Sequence, residues 1–205
     1  CTFFVLGWIA SEYPELVKLI KASGHEIGCH SHYHRLIYEL DRKEFENDTM
    51  LATEAIRKAI GEKVVMYRAP GFSITQDCKW ALKTLSDMGY QIDCSVFPYA
   101  RAHGGMPNYK EKLPHVISLP QGQTMKILPM SATKLGRLNL VATGGGYFRL
   151  LPYSLIRQCI LYNEYNMTYF HPRDFDPDQP VITGLSTLKR FKSYVGLRSS
   201  GRKLE

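Results

Sequence analysis

The sequence has no apolar run approaching the roughly 18 to 20 residues of a membrane-crossing helix, and its longest, residues 2–10 and 138–143, fall far short. A helical membrane span is excluded. There is no Cys-x-x-Cys pair, and the five cysteines (Cys1, Cys29, Cys78, Cys94, Cys159) are odd in number and scattered. No disulfide framework follows; they read as small core residues in a reducing, cytoplasmic compartment. Internal repeats, low-complexity segments and linkers are also missing. So are an initiator Met and the charged and apolar regions of a leader, while residues 1–7 already read as a buried strand, so the natural N-terminus is expected to lie before Cys1.

What is present has the proportions of one globular domain: 205 residues, 44% hydrophobic, 12% aromatic and 22% charged. The net charge is +7, but residues 189–205 hold six basic residues (Lys189, Arg190, Lys192, Arg198, Arg202, Lys203) and one acid, leaving only +2 on the rest. That distribution reads as residues 1–188 forming the domain and residues 189–205 a solvated basic tail. It argues against a nucleic-acid-binding surface spread over the fold.

Strand and helix patterns alternate. After residues 2–7, helical spacing from Ser11 carries Leu16, Leu19 and Ile20 on one face, with Pro14 in the first turn and Gly24 at the stop. Residues 25–30 read as a strand. Asp41 with Glu44 three positions on predicts a capped helix, with Phe45, Leu51, Ala55, Ile56 and Ala59 as its apolar stripe and Gly61 at its end. A strand at 64–67, a helix from Thr75 to Gly89 and a strand at 90–97 complete the βαβαβαβ order. Such alternation predicts a parallel sheet whose carboxyl edge gathers ligands. Residues 98–145 break it with glycines, prolines and two short β-rich runs, which suggests an insertion or hairpin across one mouth. Pro152 then opens a helix, and residues 167–170 read as a strand ending at His171-Pro172.

Four features could carry chemistry. His30-Ser31-His32-Tyr33-His34 follows a strand, and the four-residue spacing would put His30 and His34 on one face of a helical turn, where two imidazoles can share a divalent ion. An ordinary surface turn would leave the same residues. Arg68, in Tyr67-Arg68-Ala69-Pro70-Gly71-Phe72, stands at a strand end with a donor fork suited to a carboxylate, or is a plain arginine beside a Pro-Gly turn. His171 closes an apolar strand as a general acid or base would, or as a hydrogen-bonded core histidine would. Gly144-Gly145-Gly146-Tyr147-Phe148-Arg149 lacks the lysine and hydroxyl of a phosphate loop; it is a tight turn or a sugar-stacking edge. The aspartates Asp174, Asp176 and Asp178, interleaved with prolines, read as a solvated loop.

Taken in order, Thr2-Phe3-Phe4-Val5-Leu6-Gly7, His30-Ser31-x-x-His34, Arg68-Ala69-Pro70-Gly71-Phe72 and Tyr169-Phe170-His171-Pro172 resemble the NodB-homology polysaccharide deacetylases, carbohydrate esterase family 4. The run from Gly144 to Tyr153 is similar to the branch found in bacterial exopolysaccharide and surface-glycan gene clusters. The resemblance implies an α/β distorted (β/α) barrel lacking its first strand here, and one divalent ion, zinc, with His30 and His34 as two ligands. A third ligand, an aspartate, and the catalytic base would lie upstream of Cys1. Arg68 would orient that base, His171 would protonate the leaving amine, and Pro70, Tyr147 and Arg149 would contact substrate. The family's further acidic and tryptophan motif is not recognisable; Asp93 and Arg101-Ala102-His103-Gly104-Gly105 occupy its region. The implied reaction removes N-acetyl groups from amino sugars of a polysaccharide or its precursor, with these 205 residues alone a poor catalyst. A catalytically silent carbohydrate-binding domain of the same fold is the alternative.

Overall fold

The structure, a computed structural model, describes residues 1–101, 104–136 and 138–205. They form a mixed α/β fold of two compact units, Cys1–Met130 and Ser131–Glu205.

The first unit is built on a six-stranded sheet. Strands β1 (Thr2–Val5), β2 (Glu26–Cys29), β3 (Met66–Tyr67) and β4 (Ile92–Asp93) pair in parallel and in chain order. The hairpin of β5 (His115–Ser118) and β6 (Thr124–Ile127) extends the same sheet, with β6 parallel to β4. Residues 98–145 were expected to form an insertion or hairpin across a mouth; the two β-rich runs do pair as a hairpin, which joins the sheet edge through β6, where Met125 and Ile127 alternate inward as a buried strand must.

Helices α1 (Gly7–Glu12) and α2 (Pro14–Ala22) replace the single helix read from the pattern, broken where Pro14 has no N–H to offer. Helix α3 (Arg42–Ile60) has the ends read for it: Asp41 accepts from the Glu44 N–H at 2.8 Å, Glu44 accepts from the Asp41 N–H at 3.0 Å, and Gly61 ends it at φ 75°, while Leu51, read on its apolar stripe, is exposed. Its inner face buries Phe45, Ala52 and Ile56 with Val17, Ile27, Tyr67 and Leu85. Each such large side chain contributes about 1.5–3 kcal/mol on burial. Helix α4 (Trp80–Asp87) starts later than Thr75, whose N–H goes to the Cys78 sulfur at 3.0 Å.

The second unit contains the hairpin β7 (Thr133–Leu135) and β8 (Leu138–Leu140), then helices α5 (Gly145–Leu150), α6 (Tyr153–Tyr162), α7 (Thr187–Tyr194) and α8 (Leu197–Leu204). Phe148, Phe170 and Phe175 form its aromatic centre, with ring centroids 4.8–6.5 Å apart. The strand expected at 167–170 reduces to one parallel bridge between Gly144 and Tyr169. Gly144 is required there, since a Cβ would lie 2.4 Å from the Tyr169 ring. Residues 189–205, expected to be a solvated tail, are mostly helical: Leu197 and Ser200 are buried, and Lys203 Nζ donates to the carbonyls of Phe148, Arg149 and Leu151 at 2.7–3.0 Å. The segment is held by the burial of Leu197 and Ser200 and by the bonds of Lys203, while Phe191 and Leu204 stay exposed.

Candidate functional site

The parallel ladder sets the site. Backbone bonds continue it one residue past each strand, from His30 N–H to the Val5 carbonyl (2.9 Å), from Arg68 N–H to Cys29 (3.0 Å) and from Cys94 N–H to Tyr67 (2.8 Å). His30, Arg68 and Cys94 therefore leave the sheet side by side at its carboxyl edge.

There His30 Nδ1 lies 2.6 Å from the Arg68 carbonyl. A carbonyl only accepts, so Nδ1 carries the proton and Nε2 carries the lone pair of the neutral ring, the arrangement of a metal-binding histidine with its orienting partner. The His34 ring meets that of His30 edge-on, with centroids 5.1 Å apart. The convergence was expected from a helical turn. The segment is instead an irregular turn in which Ser31 (φ 68°) and His34 (φ 58°) are left-handed, so the two rings come near each other through a different geometry.

Two side chains hold that turn. Ser31 Oγ accepts from the His34 N–H at 3.0 Å, and Asp48 accepts from the N–H groups of His32 (2.8 Å) and Tyr33 (3.1 Å). Asp48 was not singled out from sequence, yet a signal exists: it sits between Phe45 and Ala52 on the apolar stripe of α3, where a carboxylate must have a partner. Gly7 lies beneath the turn, and a Cβ there would fall 2.4 Å from His32 Nδ1 and 2.5 Å from the Ala52 Cα.

The Arg68 guanidinium lies over the Phe4 ring at 4.3 Å and donates from Nε to the Cys94 carbonyl at 3.3 Å. Asp93, one residue back on β4, is wholly buried and accepts from the Ser95 N–H (2.9 Å) and hydroxyl (2.6 Å). Burial pushes its carboxyl up to about 6, against the opposing pull of the Ser95 hydrogen bonds and the Arg68 charge. Pro70 is buried, in a short turn with Gly71 (φ 60°). Ala102 and His103 lie outside the described residues.

The remaining candidates belong to the second unit. His171 is exposed, with Nδ1 3.6 Å from a carboxylate oxygen of Asp174, which also accepts the His171 backbone N–H at 2.9 Å. Asp174 was expected in a solvated loop; it is buried and ion-paired with Arg149 at 3.1 Å. Burial would raise its carboxyl, but the bonds to His171 and the charge of Arg149 prevail and hold it below its usual range. Tyr147 is exposed. Arg149 departs from the expected substrate contact: its side chain is 6% exposed and binds Asp174 and the carbonyls of Lys192, Ser193 and Val195. A buried guanidinium beside a buried carboxylate is retained by that pairing.

Among the described residues, no group of three or more His, Cys, Asp or Glu is arranged to hold a metal ion. The residues that could contribute to one are His30, with its Nδ1 proton on the Arg68 carbonyl, and His34, whose ring meets it edge-on. Also among the described residues, no helix is long and apolar enough to cross a membrane, and Cys29, Cys78, Cys94 and Cys159 are buried while Cys1 is exposed.

Residues 1–92 match the family model described as polysaccharide deacetylase, and residues 94–205 match a domain of unknown function, DUF3473. Among curated proteins, the chain is similar to a peptidoglycan-N-acetylglucosamine deacetylase of Bacillus cereus, at 32% identity over 39% of this chain and 30% of that protein. It is also similar to a chitooligosaccharide deacetylase of Sinorhizobium fredii, at 37% identity over 34% of this chain and 33% of that protein. The matched stretch thus spans about a third of the length of these relatives. A crystal structure assigned as a polysaccharide deacetylase from Mycobacterium smegmatis superposes with a TM-score of 0.52 at 22% identity, over 66% of this chain and 44% of that one. That likeness shows the fold.

Two outcomes check the site's construction. Asp48→Ala, which strands two backbone N–H groups, should lower unfolding free energy by about 2–3 kcal/mol and speed amide exchange at residues 31–35; unchanged exchange there contradicts the role given to Asp48. Asp93 titrates near 6 folded and near 3.8 unfolded, so the folded state holds its proton more tightly between those values. Its contribution to stability is therefore present below about pH 4 and falls as pH rises toward 6. From pH 4 to pH 7, Asp93→Asn should gain up to about 3 kcal/mol relative to the parent in urea unfolding; a constant difference contradicts this.

Proposed function

We propose that this chain, whose residues 1–92 match the polysaccharide deacetylase model and which belongs to the DUF3473 family through residues 94–205, serves metal-dependent removal of N-acetyl groups from amino sugars of a polysaccharide or its precursor. The observation that carries this reading is the His30–His34 pair, with His30 fixed by the Arg68 carbonyl at the sheet's carboxyl edge. The relatives named as deacetylases of peptidoglycan N-acetylglucosamine and of chitooligosaccharides support the substrate class.

In this reading His30 and His34 bind one divalent ion, zinc, through ring nitrogens. Such an ion, when bound, polarises the acetyl carbonyl toward attack by water. Arg68, whose guanidinium rests over the Phe4 ring, orients the carboxylate that takes the water's proton. The role assigned to His171, oriented by Asp174 within the second unit, is to donate the proton that the amide nitrogen takes as the C–N bond breaks, releasing acetate and the free amine. Pro70 is buried and offers no surface to a sugar, whereas the exposed Tyr147 ring does. Two imidazoles are fewer than the three protein ligands of a typical catalytic zinc site, so weak ion binding and slow turnover are expected of these 205 residues.

A second reading has its own observation: with no three-ligand group among the described residues, the domain could bind acetylated glycan without hydrolysing it. Acetate release from N-acetylated chito-oligosaccharides and peptidoglycan fragments, measured beside bound zinc, separates the two. The deacetylase reading expects acetate release that stops on chelation. It also expects His30→Ala and His34→Ala to lose ion and activity together, and His171→Ala to lower turnover by about a hundredfold or more with ion binding intact. Glycan binding without acetate, unaffected by chelation, establishes the silent binder. Acetate release that survives chelation and His30→Ala contradicts the metal-dependent reading.

A further inference from the structure

The second unit contains an open surface groove of about 480 Å³ that the deacetylase reading does not use, lined among others by Arg190, Arg198, Arg202, Tyr194, Val181 and Leu197. The volume lies within the few-hundred to thousand Å³ range of small-molecule sites. Its lining contains three arginines and no acid. Among the described residues, none of the three has an acidic partner within ion-pair distance.

Local physics disfavours this grouping. Arg198 and Arg202 are four apart on α8, where like charges repel, and Arg198 lies in the first turn, where the helix dipole opposes a cation. The nearby buried carboxylate, Asp174, is committed to Arg149. The walls are nonetheless fixed. Arg149 binds the carbonyls of Lys192, Ser193 and Val195, fastening the link between α7 and α8. Gly196 (φ 71°) packs so closely on the Arg149 backbone that a Cβ would meet its carbonyl oxygen at 2.1 Å. Tyr194 Oη accepts from the Ile182 N–H at 2.7 Å and donates to the Pro180 carbonyl at 3.2 Å, holding the opposite wall. An organised frame that gathers guanidinium groups beside apolar surface has its binding entropy reduced in advance.

We propose that this groove is an accessory site for an anionic saccharide, a sugar bearing a phosphate or a carboxylate. The guanidinium forks take the oxyanion, and Tyr194, Val181 and Leu197 offer apolar surface to the pyranose ring. The proposal rests on the second unit alone and stands whether or not the histidine site proves catalytic.

Binding to the full 205-residue chain, followed by calorimetry and amide shifts, tests it with four probes: glucose 1-phosphate, glucuronate, glucose and inorganic phosphate. At least one anionic sugar should bind, weakening as salt rises and shifting amides of residues 177–202. Which of the two binds tighter identifies phosphate or carboxylate as the recognised group. Arg198→Gln with Arg202→Gln should weaken that binding about tenfold or more. The melting temperature should be unchanged or raised, since the exchange relieves repulsion. Glucose binding as tightly as the anionic sugars, inorganic phosphate binding as tightly as glucose 1-phosphate, or the double variant binding like the parent would each overturn the proposal. So would capture by phosphatidylglycerol vesicles, lost in the double variant, with neither anionic sugar bound, because the arginines would then serve a lipid surface.

Discussion

The hydrogen bond from His30 Nδ1 to the Arg68 carbonyl is the contact on which the site's chemistry depends. It exists because β2 and β3 pair in parallel and release their chains at the same level, so that Arg68 donates its N–H to Cys29 while its carbonyl reaches the imidazole. The bond fixes which ring nitrogen carries the lone pair. It also ties the placement of Arg68 to that of His30, so a register slip between the two strands would disturb both. Asp48 and Ser31 then bend the following turn so that His34 comes edge-on to His30.

Features governed by local rules were legible in the sequence. Asp41, Glu44 and Gly61 bound α3 because capping chemistry is written in adjacent residues. The alternation of strand and helix predicted the parallel sheet, and the His-x-x-x-His spacing picked out two rings that lie 5.1 Å apart. What was not legible depended on partners distant in the chain. The histidine turn is left-handed because Asp48, sixteen residues from His32, holds its backbone. Arg149 looked like a surface contact beside glycines, but Asp174 and three carbonyls more than forty residues away draw it inward. The basic end looked mobile because six charges were visible, whereas the docking of Leu197, Ser200 and Lys203 needs the carbonyls of α5 and Asp174.

The two units use arginine in contrasting ways. Arg68 keeps its guanidinium at the sheet edge against an aromatic face, where it can still act on a neighbour. Arg149 is an internal fastener, and Arg190, Arg198 and Arg202 are gathered around a groove with no acid in its lining. Buried charges here are paired, as Asp174 is, or raised by burial toward neutrality, as Asp93 is.

Long-range proton–nitrogen correlation spectra of the histidine side chains, recorded while zinc is added, test the central claim most directly. The account predicts His30 in the Nδ1–H tautomer before any ion is present, and a coupled shift of the coordinating nitrogens of His30 and His34 at one equivalent of ion. A His30 ring protonated at Nε2, or zinc moving one of the two histidines without the other, would contradict it.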